Sequence, residues 1–304
     1  MFGKTLKNFS VNFFSPNPRG TFSGGETVSG EISFELTQDT KIQNISMALK
    51  GKAKVSWAVR RGGKRRVVSA KVELFNLKSY VLQIQNDEIV LKQGIHVYPF
   101  SCQIPHGDFP SSFVAKANGR ISYKVIFGIH RSWHVAKEFE SEFKFESHVA
   151  SDPELLMPMS AANSRTICGL WCTSGSISMV VRLERKGYAP GDIIKISAEI
   201  GNGSSRSIVP KAALVQKQIF YTLTRSRNRV LPNILVCTMG QAVKPNISDF
   251  YLELTLAIPD DAPLSIANCE ILEVEYVVMV TLLMKGCSSL ETLFPIVLWG
   301  TPLH

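Results

Sequence analysis

The stretch Phe22–Phe34, FSGGETVSGEISF, decides the fold because a second stretch, Tyr188–Ile200, YAPGDIIKISAEI, repeats its plan. Each begins with an aromatic residue, continues with a glycine followed by an acid, and ends in a run of alternating apolar and polar residues. Alternation with a period of two predicts a strand with one buried face. The offset from Phe22 to Tyr188 is 166 residues, which is too long for a solenoid repeat and indicates a duplicated domain.

A second set of matching positions lies downstream of each stretch, at an offset of 153 to 154 residues. Its members belong to strands or to Ile-Pro turns: Ile104, Pro105, Pro110, Ile121, Tyr123 and Val125 correspond in order to Ile258, Pro259, Pro263, Val274, Tyr276 and Val278. One apolar and one polar face on each strand is typical of antiparallel sheets packed into a sandwich. The sequence therefore predicts an all-β fold of two tandem immunoglobulin-like antiparallel β-sandwich domains.

The boundary between the two domains falls where the alternation is lost. Residues 151–163 contain Pro153 and Pro158 and no strand pattern, which is typical of an extended linker. We expect the next strand to begin near Ser176. The predicted domains are residues 1–147 and 176–304, joined by a linker at residues 148–175. At about 150 residues, each is large enough to bury a core without disulfides.

The basic charge of the chain is confined to its first half. The net charge is +9; residues 1–150 hold 21 Lys and Arg against 12 Asp and Glu, whereas residues 151–304 hold 13 of each kind. Ten basic residues and no acidic one occur from Lys41 to Lys71. This separation predicts a directed electrostatic surface on the first domain rather than a generally basic protein.

Seven of these cations are candidates for binding an anionic partner. They are Lys52, Lys54, Arg60, Arg61, Lys64, Arg65 and Arg66. The pair Gly62-Gly63 favours a tight hairpin, because glycine adopts positive φ at low cost. The hairpin tip, Arg60–Arg66, then holds five cations close together, and an anion relieves their mutual repulsion. We expect phosphorylated tails, acidic peptides or anionic lipid as partners.

A plainer interpretation of the same segment stays open. A strand edge that carries many solvated charges resists aggregation without binding anything. Nucleic acid is not expected as a partner, because the charge is not accompanied by an aromatic-interleaved binding motif.

Catalytic and metal-binding patterns are missing from the sequence. No Gly-rich phosphate loop, G-x-S-x-G motif or paired-carboxylate constellation occurs, so we expect neither an enzyme nor a cofactor. Cys168 and Cys172 have the spacing C-x3-C, but no second pair or histidine cluster accompanies them, and we expect no metal site. Beside the apolar Leu170-Trp171, these two cysteines are candidates for reversible acylation or redox sensing.

The sequence carries no pattern of secretion or membrane insertion. The N-terminal residues lack the apolar stretch of a signal peptide, and the longest apolar run, Val277–Met284, is too short to span a bilayer. We therefore expect a cytosolic chain whose cysteines are reduced thiols.

Several separated motifs resemble one known family. In the second half they are Cys168–Gly175 (CGLWCTSG), Leu183–Gly191 (LERKGYAPG) and Val209–Leu214 (VPKAAL). In the first half they are Tyr98–Phe100 (YPF), Pro110–Phe113 (PSSF), Gly119–Tyr123 (GRISY) and Asp152–Leu155 (DPEL). Together these stretches resemble the arrestin family, and its α-arrestin (arrestin domain-containing) branch in particular. The resemblance covers nearly the whole chain and implies that the two sandwiches are arrestin-like.

The resemblance implies a non-enzymatic adaptor. Such proteins bind the cytoplasmic tails of membrane cargo, among them receptors and transporters, and support protein transport by endocytosis and endosomal sorting. The implied location is the cytoplasm, peripheral at the plasma membrane and endosomes. Two alternatives remain: a retromer-type structural sorting subunit, and an anionic-lipid surface-binding protein led by the basic hairpin.

The chain departs from the α-arrestin pattern in one respect. Family members add Pro-Pro-x-Tyr motifs that dock WW domains of ubiquitin ligases, whereas these 304 residues contain no Pro-Pro pair. The resemblance therefore implies a tail-less form, for which recruitment of a ubiquitin ligase is unsupported.

Overall fold

The structure is a computed structural model that describes residues 5–83, 89–115, 118–147, 152–169, 172–286 and 288–300. For residues 61, 167–169 and 172–174 it describes the backbone alone. Strands and their connections account for almost all of it, which confirms the predicted all-β class. Within these ranges, no helix is long and apolar enough to cross a membrane.

The chain divides into two compact units. The first comprises Met1–His148 with Tyr221–Arg227 and Asn268–Ile271; the second comprises Val149–Phe220, Asn228–Ala267 and Leu272–His304. Each unit contains two main antiparallel sheets. The prediction of two tandem sandwich domains is thereby confirmed.

The first unit is built from eleven strands. They are β1 (Leu6–Phe13), β2 (Thr21–Phe22), β3 (Thr27–Leu36), β4 (Thr40–Ile42), β5 (Asn44–Arg61), β6 (Lys64–Gln83), β7 (Ile89–Leu91), β8 (Gly94–Gln103), β9 (Phe113–Val114), β10 (Gly119–His130) and β11 (Lys137–Phe145). One sheet has the order β1-β3-β8, the other has the order β2-β11-β10-β5-β6, and β4 pairs with β7.

Aromatic side chains join the two sheets of the first unit. The ring centroids of Phe100 on β8 and Phe127 on β10 are 5.0 Å apart, and those of Phe13 on β1 and Phe143 on β11 are 6.2 Å apart. The predicted inward positions of β3 are buried, as alternation requires: they are Val28, Gly30, Ile32, Phe34 and Leu36. Burial of these apolar faces is the main stabilising term of such a sandwich.

The second unit contains the 3₁₀ helix Pro153–Leu156 and nine strands. They are β12 (Met159–Gly169), β13 (Cys172–Leu183), β14 (Gly187–Tyr188), β15 (Ile193–Asn202), β16 (Val209–Tyr221), β17 (Asn228–Met239), β18 (Ile247–Ala257), β19 (Leu272–Leu283) and β20 (Leu290–Leu298). Their orders are β12-β13-β15-β18 and β14-β20-β19-β16-β17. The predicted inward positions of β19, among them Val274 and Tyr276, are buried.

The same hydrogen bonds recur in both units, which supports the duplication. Tyr123 Oη donates to the carbonyl oxygen of Pro110 at 2.6 Å, and Tyr276 Oη donates to that of Pro263 at 2.5 Å. Each bond spans 13 residues. A buried hydroxyl that hydrogen-bonds to a backbone carbonyl satisfies both groups. In each sandwich this bond fastens the turn that contains the proline to the strand that carries the tyrosine; we call this junction the corner.

The glycine–acid turns that open the repeated stretches are also equivalent. The Glu26 carboxylate accepts a hydrogen bond from the backbone N–H of Ser23 at 2.7 Å, and the Asp192 carboxylate accepts one from Ala189 at 2.9 Å. The glycine before each acid has positive φ: +82° at residue 25 and +89° at residue 191. The acid stabilises the turn and the glycine permits its backbone conformation.

The predicted linker, residues 148–175, contains regular structure. β12 begins at Met159 and β13 at Cys172, so the expectation that the next strand begins near Ser176 is wrong. β12 lies at the edge of its sheet, and its residues Ser160–Asn163 are small or polar and at most half-buried. An edge strand that buries little apolar surface shows no hydrophobic alternation, which explains the missed strand. The domain boundaries themselves stay a prediction.

Candidate anion-binding surface

The predicted hairpin in the basic segment is confirmed. β5 and β6 are antiparallel, Arg61 pairs with Lys64, and the two-residue loop Gly62-Gly63 joins them. Both glycines have positive φ, +58° and +75°, as a two-residue turn with matching twist requires. The chain therefore folds back on itself where the sequence indicated.

Alternation along β5 separates its lysines from the core. Leu49, Gly51 and Ala53 are buried, while Lys50, Lys52 and Lys54 point to the opposite, outer face of the sheet. β10 runs beside β5, with Arg120 opposite Lys54 and Ser122 opposite Lys52. The outer face of the first sandwich therefore carries a row of cations on two neighbouring strands.

A groove of about 410 Å³ lies on this face; we call it the β5–β10 groove. Its charged side chains are Lys52, Lys54, Arg120, Lys124 and Glu142, and its hydroxyls are those of Ser56 and Ser122. Small-ligand sites in proteins span about 300–1,000 Å³, so the groove is large enough for a compact ligand. Four cations against one carboxylate give it a positive character.

Ion pairs divide these cations into two groups. Lys124 Nζ lies 2.6 Å from Glu140 and 3.2 Å from Glu142, and Arg120 also pairs with Glu142. Lys50 reaches Glu73 at 3.6 Å, although Glu73 lies opposite Lys52 in the strand register. Within the described residues, Lys52 and Lys54 have no carboxylate at ion-pair distance. These two lysines therefore differ from Lys124, Arg120 and Lys50, which form ion pairs.

The surroundings of Lys52 lower the pKa of its amine. Burial lowers the pKa of its amine, and the neighbouring cations Lys71, Lys54, Lys124 and Lys50 lower it further. Lys54 has a cation opposite it on both sides, Arg120 on β10 and Lys71 on β6. Like charges directly opposite each other are unfavourable, and a bound anion relieves that repulsion.

The hairpin tip forms a separate group of cations. Arg60 is six residues beyond Lys54 on the same strand, which corresponds to about 20 Å at the usual rise of a strand. Arg60 pairs with Arg65 and shares a face with it, whereas Arg66 pairs with Val59 on the other face. The side chains of Arg60, Lys64, Arg65 and Arg66 are exposed; that of Arg61 lies outside the described residues.

The seven predicted cations therefore lie in two separate places, and the groove also contains residues that the sequence did not indicate. Lys52 and Lys54 lie in the β5–β10 groove, while the other five lie at the tip. Sequence reasoning missed Arg120, Ser122, Lys124 and Glu142 as neighbours of Lys52. The sequence shows polar residues alternating with apolar ones in this segment. Which of them lies beside Lys52 depends on the register in which β10 pairs with β5. An anion-binding role of any of these residues stays a prediction.

The two candidate cysteines lie at the facing ends of β12 and β13, where Gly169 pairs with Cys172. The side chains of Cys168 and Cys172 lie outside the described residues, so their modification stays a prediction. Within the described part of the chain, no three His, Cys, Asp or Glu side chains converge as a metal site requires.

Comparison with known proteins identifies the class to which this pair of sandwiches belongs. The family model "Arrestin (or S-antigen), N-terminal domain" matches residues 9–150, and "Arrestin (or S-antigen), C-terminal domain" matches residues 173–303. The chain is an arrestin-type protein, and both halves of the duplication match the family separately.

Individual relatives place it within that class. The chain is 32% identical over 299 residues to Arrestin domain-containing protein 4 of Mus musculus, with 95% of this chain and 71% of the relative covered. It is 27% identical over 301 residues to Thioredoxin-interacting protein of Homo sapiens, with 97% and 75% covered. The chain therefore belongs to the arrestin domain-containing, or α-arrestin, family. Membership supports an adaptor role in the broad sense.

Proposed function

We propose that this chain is a non-enzymatic adaptor that binds cytoplasmic tails of membrane cargo and supports their endocytosis and endosomal sorting. It would act from the cytoplasm, at the plasma membrane and endosomes. Membership in the arrestin family supports the adaptor role. The observation that supports the tail-binding part is the row of cations on the outer face of the first sandwich, where Lys52 and Lys54 have no carboxylate at ion-pair distance among the residues that the structure describes.

The charge of this surface indicates how a tail would bind. Single exposed charge pairs contribute only about 0.2–1 kcal/mol, so no one cation decides the affinity. Several cations on one face together raise the association rate and make binding depend on salt. The proposed ligand is therefore an acidic or phosphorylated tail.

Fluorescence anisotropy with labelled tail peptides tests this proposal. Acidic peptides should bind the full chain with an affinity that falls as salt rises, because salt screens charges over about 8–10 Å. Peptides in which Asn and Gln replace Asp and Glu are the matched controls. Equal binding of acidic and neutral peptides at low salt would count against the proposal.

One observation favours a second candidate, an anionic-lipid surface-binding role. The tip cations Arg60, Lys64, Arg65 and Arg66 are exposed, and each basic residue near an anionic bilayer contributes about 1 kcal/mol. Flotation with vesicles of phosphatidylcholine alone, or with phosphatidylserine added, tests this role. If the chain floats only with phosphatidylserine and the variant Arg60→Gln/Lys64→Gln/Arg65→Gln/Arg66→Gln does not float, the tip is a lipid contact.

A further inference from the structure

The second sandwich has an apolar outer face where the first has charges. In the first, Lys124 of β10 lies opposite Glu142 of β11, and Ile126 lies opposite Glu140. The residues at the equivalent positions of β19 and β20 are all apolar: Val277, Pro295, Met279 and Leu293. Ion pairs of one copy thus correspond to apolar side chains of the other, on a face that points away from the sandwich core.

Two apolar rows cross three strands of this sheet. On the other side of β19, the strand β16 places Ala213 opposite Met279 and Val215 opposite Val277. We call this surface the β16–β20 face, and it consists of Ala213, Val215, Val277, Met279, Leu293 and Pro295. Leu293 is 53% exposed, and Pro295 is exposed as well. A contiguous apolar patch on an outer sheet face is typical of a surface that another molecule covers.

The row next to the apolar rows carries one charge of each sign. Lys211 of β16, Thr281 of β19 and Glu291 of β20 lie side by side across the sheet, with β19 in the middle. Among the residues that the structure describes, neither Lys211 nor Glu291 has an oppositely charged group at ion-pair distance. A partner that covers the apolar rows and neutralises both charges must therefore bring an acid over Lys211 and a base over Glu291.

A second copy of the same chain meets this requirement. A two-fold axis parallel to β19 exchanges the β16 side of the face with its β20 side, so Lys211 of each copy faces Glu291 of the other. The same rotation places the small Ala213 against the large Leu293, and Met279 against its own equivalent. Charge and size are thus self-complementary about one axis, in the aligned face-to-face packing that sheets adopt about 10 Å apart.

We propose that two copies of this chain form a symmetric dimer through the β16–β20 face. The strands β17, β16, β19 and β20, about 4.8 Å apart and about 30 Å long, offer about 600 Å² per copy. This area is at the lower end for specific interfaces, which bury about 800 Å² per partner. The dimer should therefore be reversible, with a dissociation constant in the micromolar range. The inference concerns the second sandwich and does not depend on tail binding.

Sedimentation velocity of the full chain, from submicromolar to high micromolar concentration, tests the proposal. The weight-average sedimentation coefficient should rise with concentration from the monomer value to the dimer value. Met279→Glu should raise the dissociation constant about tenfold or more, because two carboxylates would meet on the axis. Ile126→Glu, the equivalent change on the first sandwich, is the matched control and should leave association unchanged. Leu293→Glu, at an exposed position, gives a second disruptive variant if Met279→Glu does not fold.

Charge exchange tests the orientation of the two copies. Lys211→Glu and Glu291→Lys each place like charges face to face, so each should weaken self-association, by about threefold to tenfold. The double variant Lys211→Glu/Glu291→Lys restores both pairs with reversed sign and should recover the original dissociation constant. An equimolar mixture of the two single variants should form mixed dimers of the original strength, since each variant supplies the charges that the other lacks.

Several outcomes would overturn this dimer. One is a sedimentation coefficient that stays at the monomer value at every concentration, and another is an equal loss in Met279→Glu and Ile126→Glu. A double charge variant that associates no better than the single ones would exclude the two-fold arrangement. A monomer that binds anilinonaphthalene sulfonate, with the fluorescence lost in Leu293→Glu, would assign the face to a different partner. Anisotropy with acidic peptides measures the proposed function separately, and tail binding would stand in each of these cases.

Discussion

The two sandwiches share a scaffold but differ on the outer face of equivalent sheets. In the first, Lys52 lies opposite Ser122 and Lys54 opposite Arg120. In the second, the equivalent pairs on β16 and β19 are Lys217 with Glu275 and Ile219 with Glu273. The same strand positions thus hold a surplus of positive charge in the first unit and a small surplus of negative charge in the second.

The difference shows which parts of a duplicated domain are free to change. The hydrogen bond from Tyr123 to Pro110 is buried and that from Tyr276 to Pro263 is part-buried, and both copies have this bond. Residues on the outer face contact solvent, so a substitution there costs little stability and alters what the sheet attracts. The two copies therefore share their core contacts and differ in the charge of their outer faces.

Replacing one core residue of the first sandwich by its equivalent from the second should have the largest effect on stability. Gly30 of β3 corresponds to Ile196 of β15, and a Cβ atom at Gly30 would overlap the carbonyl oxygen of Asn12. Gly30→Ile should lower the free energy of unfolding of the first sandwich by about 3 kcal/mol, since the neighbouring strand cannot give way. Urea unfolding followed by pulsed hydrogen exchange resolves the two sandwiches. Glu31→Ile, on the other face of β3, is the control; equal stability of both variants would contradict the close contact.

Removing the hydroxyl of Tyr123 or of Tyr276 should lower the free energy of unfolding by a smaller amount, and the two losses should differ. Tyr276 Oη both donates to Pro263 and accepts a hydrogen bond from Gln216 Nε2 at 2.8 Å. Burial raises the pKa of Tyr276 to about 12, so its hydroxyl stays protonated and donates at neutral pH. Tyr276→Phe leaves the buried Gln216 amide and the part-buried Pro263 carbonyl without this partner, whereas Tyr123→Phe affects the buried Pro110 carbonyl alone. Losses of about 2–3 and about 1–2 kcal/mol are therefore expected.

The same unfolding measurement on each sandwich checks this order. If Tyr123→Phe loses more stability than Tyr276→Phe, the hydrogen bond from Gln216 to Tyr276 does not stabilise the second sandwich. Phenylalanine keeps the ring and its packing, so the comparison isolates the hydroxyl.

Short sequence patterns correctly predicted the turns, because a turn is determined by a few adjacent residues. The tip hairpin follows from Gly62-Gly63, and the repeated turns follow from a glycine before an acid. Both depend on the backbone conformations that a few adjacent residues favour. β12 escaped prediction because Ser160–Asn163 pack too little apolar surface to leave a periodic signal.

The candidate site could be predicted only in part, because it is assembled across strands. Lys52 and Lys54 stood out as part of a charge run. The segment that contains Arg120 and Ser122 is almost 70 residues away in sequence, and it reaches them through the pairing of β10 with β5. A shift of that register by one residue would turn Arg120 towards the core. Composition alone does not encode such a register.

Copying one outer-face residue from the second sandwich should remove the surplus charge of the first. Ser122→Glu reproduces the Lys217–Glu275 arrangement beside Lys52. We expect about a tenfold loss of affinity for an acidic tail peptide, because the new carboxylate pairs with the lysine and repels the acidic side chains of the peptide. Ser122→Gln keeps the size without the charge and should bind more tightly than Ser122→Glu. Equal affinities of these two variants would exclude electrostatic competition in the groove.

The smallest expected effect is a pH dependence of binding that involves Lys52. Burial and the neighbouring cations lower the pKa of Lys52. An anion binds the protonated amine, so the affinity for an acidic tail peptide is complete below this lowered pKa and declines as pH rises through it. Lys52→Arg should delay the decline to higher pH, because a guanidinium stays protonated.

Dissociation constants for an acidic tail peptide, measured from about pH 7 to pH 10, check this prediction, since the carboxylates of the peptide are already ionised there and do not titrate. The stability of the protein changes with pH in the opposite direction to the affinity. Between the lowered pKa of folded Lys52 and its ordinary value in the unfolded chain, the unfolded state binds more protons. The free energy of unfolding therefore rises with pH in that window, and Lys52→Arg should flatten the rise. Lys217→Arg, opposite Glu275 on the second sandwich, is the matched control, and an identical change in both variants would remove the distinction between the two sandwiches at this position.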